Sequence, residues 1–211
     1  MPNIIYIDAS TKYSFCGLLR GNSFEHKIVH DKLNEHSKVL HLHIEEILKN
    51  AQLEFKNIDA LAVMNGPGSY TGLRTALATA KGICFSLDIP LILLNKVELL
   101  LTQNSAKHTK DCCILLPARE DEFFFAAYDA ENDKHYKAKH IFRDDFIEHE
   151  EVFRGKIYGN SSSEKLDINI IESVLAENCI ENAINQRFKD KNFDNIIEAV
   201  PFYLKGVHIH K

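Results

Sequence analysis

Short apolar runs alternate with longer amphipathic stretches along this chain. In the first half, runs rich in β-branched residues predict strands at residues 3–7, 14–20, 23–30, 58–64 and 90–94. Apolar residues that recur every three or four positions predict helices at residues 35–50, 71–87 and 96–103. Gly21 and Asn22 separate the second and third runs, and because both residues tolerate positive φ they predict a hairpin turn.

The second half repeats this order of strands first and helices later. Its pattern predicts strands at residues 112–116, 122–129, 136–142 and 156–159, and a long helix at residues 172–189. Alternating strands and helices imply an α/β fold in which helices cover a parallel section of sheet. Polar residues 103–111 are the best boundary. We therefore expect a first lobe at residues 1–104 and a smaller, divergent lobe at residues 105–211, whose last residues could pack back on the first.

Composition narrows the class of protein. The chain has 211 residues, of which 45% are hydrophobic and 26% charged, and its formal net charge is −5. A free-standing nucleic-acid binder would be more basic, so a partner would have to supply the basic surface for any RNA. Five cysteines without a C-x-x-C pair indicate reduced thiols in a cytoplasmic protein. The sequence shows no signal peptide and no membrane-spanning run, and we expect no membrane association.

Asp8-Ala9-Ser10-Thr11 follows the first predicted strand. A carboxylate at a strand end followed by small hydroxyl residues can hold a metal-bound phosphate, so Asp8, Ser10 and Thr11 are candidate phosphate-binding residues. The same residues also fit an Asx-type turn that starts a hairpin without binding a ligand. Both interpretations stay open from the sequence.

A glycine-rich turn, Asn-Gly-Pro-Gly-Ser-Tyr-Thr-Gly-Leu-Arg at residues 65–74, joins a strand to the second helix. Backbone N–H groups in such a turn can converge at a helix N-terminus and bind an anion, which adds Gly66, Gly68 and Ser69 to the candidate phosphate site. The turn has no lysine followed by Ser or Thr, as in a Walker A loop, and its spacing is not G-x-G-x-x-G. A tight connection with Thr71 as N-cap explains the same residues without a ligand.

The helix predicted after this turn is rich in small residues. Gly72, Ala76 and Ala80 stand four positions apart, as do Thr75 and Thr79. Small residues at this spacing form a shallow groove that another helix can approach closely. The groove fits internal packing as well as it fits a subunit interface.

Histidines and nucleophiles predict neither a metal site nor a catalytic centre. His26 and His30 have the H-x-x-x-H spacing of a helical zinc site, but in a strand they would lie about 13 Å apart. His36, His41 and His43 fall at spacings that scatter them around the first helix. Ser69 is the one serine that suggests a nucleophile, and no serine lies in a G-x-S-x-G elbow. We therefore predict no catalytic residue and no bound metal.

Several segments together are typical of one protein family. They are residues 5–11, 35–37, 58–63, 66–74 and 78–82, with Pro90 and the four apolar residues after it. Weaker matches follow at Ala118-Arg119 with Glu122, and at residues 201–205. On these segments, of which residues 66–74 are the most specific, the chain closely resembles the bacterial TsaB (YeaZ) family.

This resemblance implies a fold and a function. The fold is that of the actin-like ATPases (ribonuclease H-like), with two related α/β lobes. The function is in making threonylcarbamoyladenosine (t6A) on tRNA, beside the anticodon. In that family TsaB is not the catalyst: it binds its paralogue TsaD, which carries the metal and the transfer chemistry, and the ATPase TsaE joins them. The protein would meet tRNA through this complex, and ATP or ADP with Mg at the complex interface is the one cofactor to consider.

The resemblance also implies where the partner binds. The contact with TsaD lies on the helices predicted at residues 35–50 and 71–87, and the same surface is expected to form a homodimer when the chain is alone. The interface residues so implied are His36, Val39, Leu40, Gly72, Leu73, Thr75, Ala76, Thr79 and Ala80.

The second half departs from the family pattern. Pro117 stands where an Asp usually precedes Ala-Arg, and residues 159–161 keep one glycine of a G-x-G-like turn. A glycine-rich segment that could hold adenosine is not visible in the sequence. The rival hypotheses are an ATP-binding ATPase or small-molecule kinase of the same fold, and an M22-type peptidase. Our prediction is a non-catalytic scaffold subunit with no independent enzymatic activity.

Overall fold

Two compact units make up the described part of the chain. The computed structural model describes residues 1–30, 36–105, 111–118, 122–142, 144–145, 156–159 and 170–202, and for residues 36–38 the backbone alone. The first unit contains Met1–Asn95 and Glu177–Phe202, and the second contains the described residues within Lys96–Ala176. The predicted lobes, residues 1–104 and 105–211, follow sequence order, and their limits therefore differ from those of the units.

A five-stranded sheet forms the centre of the first unit. Its strands are β1 (Asn3–Asp8), β2 (Ser14–Arg20), β3 (Ser23–His30), β4 (Ala60–Gly66) and β5 (Leu91–Asn95), in the order β3-β2-β1-β4-β5. β1, β2 and β3 pair antiparallel, whereas β4 pairs in parallel with both β1 and β5. The predicted hairpin turn is confirmed, and Gly21 adopts a φ of +67°, which favours glycine.

Two helices bury their apolar sides against this sheet. They are α1 (His36–Asn50) and α2 (Tyr70–Leu87), and a short 3-10 helix (Phe55–Asn57) precedes β4. Apolar residues at helical spacing on α1 and alternating residues on the strands form one buried core. Its fully buried members include Ile5, Ile7, Leu18, Ile44, Ile47, Leu61 and Val63.

The second unit repeats the sheet of the first. Its elements are α3 (Lys96–Ser105), β6 (Cys112–Pro117), β7 (Glu122–Asp129), β8 (Lys134–Phe142), β9 (Lys156–Gly159) and β10 (Ile170–Glu172). The strand order is β8-β7-β6-β9-β10, with β6, β7 and β8 antiparallel and β6, β9 and β10 parallel. This is the arrangement of β3-β2-β1-β4-β5, so the predicted two-lobed α/β fold is confirmed.

The last described helix returns to the first unit. α4 (Glu177–Lys189) begins at Glu177, so the predicted helix at residues 172–189 is wrong at residues 172–176, the first of which ends β10 (Ile170–Glu172). Glu181 Oε1 on α4 accepts a hydrogen bond from the Phe24 N–H at 2.9 Å. Beyond α4, the Asp194 N–H donates to the Leu91 carbonyl and Asp194 Oδ2 accepts from the Leu93 N–H, which covers the open edge of β5. None of the described helices is long and apolar enough to cross a membrane.

Candidate functional site

The turn after β1 satisfies its own polar groups. The Ser10 N–H donates to Asp8 Oδ1 at 2.7 Å, and the Tyr6 hydroxyl donates to Asp8 Oδ2 at 3.4 Å. Burial first, and then the Asp8 carboxylate, raise the pKa of Tyr6 well above its usual value. Thr11 Oγ1 accepts from the Tyr13 N–H at 3.1 Å. These bonds are those of the Asx-type turn that the sequence left open beside the phosphate hypothesis.

The glycine-rich turn packs directly on this first turn. The Ser69 N–H donates to the Ser10 carbonyl at 2.7 Å. A Cβ atom on Gly68 would lie 2.2 Å from the Ser10 oxygen, and one on Gly72 would lie 1.9 Å from the Ala9 oxygen. Both positions therefore need glycine because two backbones approach closely there. The structure thus brings together the two segments predicted to bind phosphate.

The start of α2 differs from the prediction in its cap. Ser69, and not Thr71, is the N-cap residue, and its Oγ accepts from the Gly72 N–H at 3.2 Å. The N–H groups of Ser10, Ser69 and Gly72 are all engaged within the protein. These three N–H groups are therefore not available to an anion, and phosphate binding by Asp8, Ser10, Thr11, Gly66, Gly68 and Ser69 stays a prediction.

The small residues that stand four positions apart on α2, Gly72, Ala76 and Ala80, face inward. Gly72 is buried, Ala76 and Ala80 are fully buried in the core with α1 and the sheet, and Leu73 is 2% exposed. Gly72 meets the β1 turn, as described above. Internal packing therefore accounts for the spacing of these residues.

The predicted interface residues divide into two groups. Leu40 is 1% exposed and, with Gly72, Leu73, Ala76 and Ala80, is closed to a partner in the single chain. Val39, Thr75 and Thr79 are partly exposed. The side chain of His36 lies outside the described residues. The interface role of all these positions stays a prediction, and the partly exposed ones are those that a partner could reach.

A second row of small residues on α2 faces outward. Ala78 and Gly82 are exposed, and a Cβ atom on Gly82 would meet no atom within 4 Å. Phe85, one turn beyond Gly82, is 78% exposed. On the neighbouring α1, Leu42 is 52% exposed. The predicted interface did not include these residues, although their spacing of three and four positions is the signal of a shared helix face.

The candidate nucleophiles are not prepared for attack. The Ser69 hydroxyl oxygen serves as the helix cap. Burial raises the pKa of Cys16 and of Cys113 to about 12, and that of Cys84 to about 11, so these thiols stay protonated near neutral pH. Within the part of the chain that the structure describes, no group of three or more His, Cys, Asp or Glu residues could hold a metal ion.

The structure describes some of the second-unit positions that the sequence analysis compared with the family pattern. The Ala118 N–H donates to the Glu122 carbonyl at 2.9 Å across the end of β6 and β7. The Glu122 carboxylate lies 3.0 Å from His140 Nε2, and both side chains are largely buried. Pro117 ends β6. Arg119, Asn160, Ser161 and residues 203–205 lie outside the described residues.

Comparison with known proteins gives one family. A family model described as TsaD: tRNA N6-adenosine threonylcarbamoyltransferase matches residues 30–208. The TsaB biosynthesis protein for tRNA threonylcarbamoyladenosine of Haemophilus influenzae is 30% identical over 129 residues, which cover 58% of this chain and 52% of that protein. TsaB of Buchnera aphidicola subsp. Acyrthosiphon pisum is 25% identical over 130 residues, covering 61% of this chain and 58% of that protein. The chain thus matches little more than half the length of these relatives.

Solved structures agree on the fold. A crystal structure described as an uncharacterized protein with similarity to peptidase YEAZ from Pseudomonas aeruginosa has a TM-score of 0.73 at 19% identity. That alignment covers 97% of this chain and 100% of that chain. At this identity the likeness supports the fold and leaves function to other arguments.

Proposed function

The chain belongs to the TsaD family, in its TsaB (YeaZ) branch, and from this premise we propose that it is a non-catalytic subunit in t6A synthesis on tRNA. In this proposal it binds a TsaD-type partner and supports transfer of the threonylcarbamoyl group by that partner. The transfer reaction, the tRNA and the TsaE-type ATPase are met through the complex, in the cytoplasm. The partner binds the outward faces of α1 and α2.

Gly82 is the observation that supports this docking surface best. Glycine in a helix interior is less stable than alanine by about 1 kcal/mol. No atom of the described residues forces position 82 to lack a Cβ, since a Cβ atom there would meet nothing within 4 Å. A partner helix that packs closely against Ala78 and Gly82 would require glycine at position 82. A glycine in a helix interior that internal packing does not explain is therefore expected on a contact surface, and not on a helix face that only meets water.

Two large apolar side chains are exposed on α1 and α2. Phe85 and Leu42 are 78% and 52% exposed, on neighbouring helices of the same unit. Large apolar side chains around a close helix contact would supply much of the binding free energy. Of the partly exposed residues that the sequence predicted, Thr75 and Thr79 precede Ala78 and Gly82 by three positions on α2, and Val39 lies on α1.

The non-catalytic role rests on the chemistry of the described nucleophiles. Ser69 has its hydroxyl oxygen in a helix cap, and burial raises the thiol pKa of Cys16, Cys84 and Cys113. Under the ATPase hypothesis, phosphate would have to be bound by groups other than the N–H groups of Ser10, Ser69 and Gly72, which are engaged within the protein. Calorimetry of the isolated chain with ATP and Mg²⁺ tests that rival, and binding would revive it.

Partner binding can be tested with outward substitutions. Gly82→Arg and Ala78→Arg place a long cation on the proposed contact and should abolish co-elution with the cognate TsaD-type protein in size-exclusion chromatography. Both variants should keep the fold because the two positions are exposed. The isolated wild-type chain should elute as a dimer through the same face, and Gly82→Arg should elute as a monomer.

Asn182→Arg is the matched control, since Asn182 is an exposed position on α4 of the same unit. It should bind the partner as wild type does. The docking surface is refuted if Gly82→Arg and Ala78→Arg, folded by circular dichroism, bind the partner with wild-type affinity.

A further inference from the structure

Two histidines and a serine from three elements meet at one place in the first unit. Ser14 at the start of β2 is the register partner of His30 at the end of β3. The helix α1 covers this end of the sheet and places His43 against His30, with ring centroids 5.3 Å apart and planes inclined by 52°. The sequence placed these histidines on separate elements, and the fold brings their rings into contact.

Two polar atoms at this place lack a hydrogen-bond partner. Ser14 is fully buried, and neither its Oγ nor the Nδ1 atom of His43 has a hydrogen bond within the described structure. A buried polar atom left unsatisfied destabilises a fold by about 1–3 kcal/mol. A bound water molecule or ion that reached these atoms would remove this cost.

A carboxylate lies close to the two rings. Glu46 is on α1 one turn from His43, and its negative charge would attract a cation to this place.

The distance between the rings fits a shared metal ion. A zinc–nitrogen bond of about 2.0–2.1 Å and about 1.1 Å from the nitrogen to the ring centre put each centroid about 3.2 Å from the ion. At a tetrahedral angle of about 109°, two such centroids lie about 5.2 Å apart. The observed separation is 5.3 Å.

We propose that His30 and His43 together bind one divalent transition-metal ion of the Zn²⁺ type. Imidazole is a preferred ligand of such ions. Two histidines supply half of a tetrahedral set, so water completes the coordination, and the Ser14 hydroxyl hydrogen-bonds a metal-bound water. The bound ion joins α1 to the edge strand β3. Affinity is modest because the protein provides only two ligands.

The test uses the full chain, without a histidine tag and treated with a chelator before use. Titration with Zn²⁺ in a calorimeter should show one equivalent bound, and Tm should rise with the logarithm of Zn²⁺ concentration, because the ion binds the folded state. His30→Gln and His43→Gln should each remove both effects. His26→Gln is the matched control, because His26 lies on the same strand, and it should bind Zn²⁺ as wild type does.

A spectroscopic measurement covers the case of a variant that fails to fold. Cu²⁺ bound to the wild-type protein should show electron paramagnetic resonance coupling to two imidazole nitrogens. Coupling to one nitrogen or none, or Zn²⁺ binding that is unchanged in folded His43→Gln, would overturn the proposal. Absence of Zn²⁺ binding at millimolar concentration would also overturn it, and would leave a bridging water as the group between the three side chains.

Discussion

Replacing Gly82 by alanine separates a helix face used for contact from one that only faces water. In the isolated chain the new methyl group meets no atom within 4 Å, so it creates no clash. Alanine is more favourable than glycine in a helix interior by about 0.5–1 kcal/mol. The free energy of unfolding should therefore rise by that amount, and Tm should rise by about 1–4 °C for a chain of this length.

The assay is urea denaturation followed by far-UV circular dichroism, with the slope of the transition checked for constancy. Ala78→Gly is the mirror control: Ala78 is exposed on the same helix, and this change should lower the free energy of unfolding by a similar amount. Partner binding should respond in the opposite direction to stability, since Gly82→Ala adds a methyl group to the proposed contact. A Gly82→Ala protein that is less stable than wild type would refute the reasoning. Its lower stability would show that the added methyl group clashes with an atom of the chain itself.

The other predictions concern buried groups. Glu181→Ala leaves the Phe24 N–H without its acceptor and should lower the free energy of unfolding by about 1–3 kcal/mol in urea denaturation. Glu181→Gln keeps an acceptor oxygen and should lower the free energy of unfolding by less. Equal decreases for the two variants would contradict this. Ala76→Arg should abolish soluble folded protein, as judged by circular dichroism, because position 76 is fully buried; a folded variant would show that α2 is packed differently. In a thiol assay near pH 8 on the native protein, Cys179 should react first. Burial raises the pKa of the other four thiols, those of Cys16, Cys84, Cys112 and Cys113, to about 11 or 12. Four or five rapidly reacting thiols would contradict the burial of these four cysteines.

Sequence patterns predicted most of the fold. Apolar runs bounded by turn residues predicted β1, β2 and β3 to within a residue, because strand spacing and glycine turns are local signals. The short strand β10 was not predicted, and its last residue, Glu172, was assigned to the helix that follows. Its three residues, Ile170–Glu172, are too few to show a period, and pairing with β9 holds them in a strand.

The candidate site was less accessible to sequence reasoning. The spacing of small residues on α2 indicates a groove for close helix packing, but it does not tell whether the core or a partner fills that groove. The structure places Ala76 and Ala80 inside, and leaves Ala78 and Gly82 outside. Contacts between distant segments, such as the Ser69 N–H bond to Ser10, depend on tertiary packing that a local pattern does not encode.

Reconstitution of tRNA modification tests the central claim most directly. The cognate TsaD-type and TsaE-type proteins, tRNA, ATP and the threonylcarbamoyl donor would be assayed for t6A with and without this chain. We predict t6A formation only when the chain is present, and its loss when Gly82→Arg replaces the wild type. Equal t6A formation in the absence of the chain would contradict the proposed role.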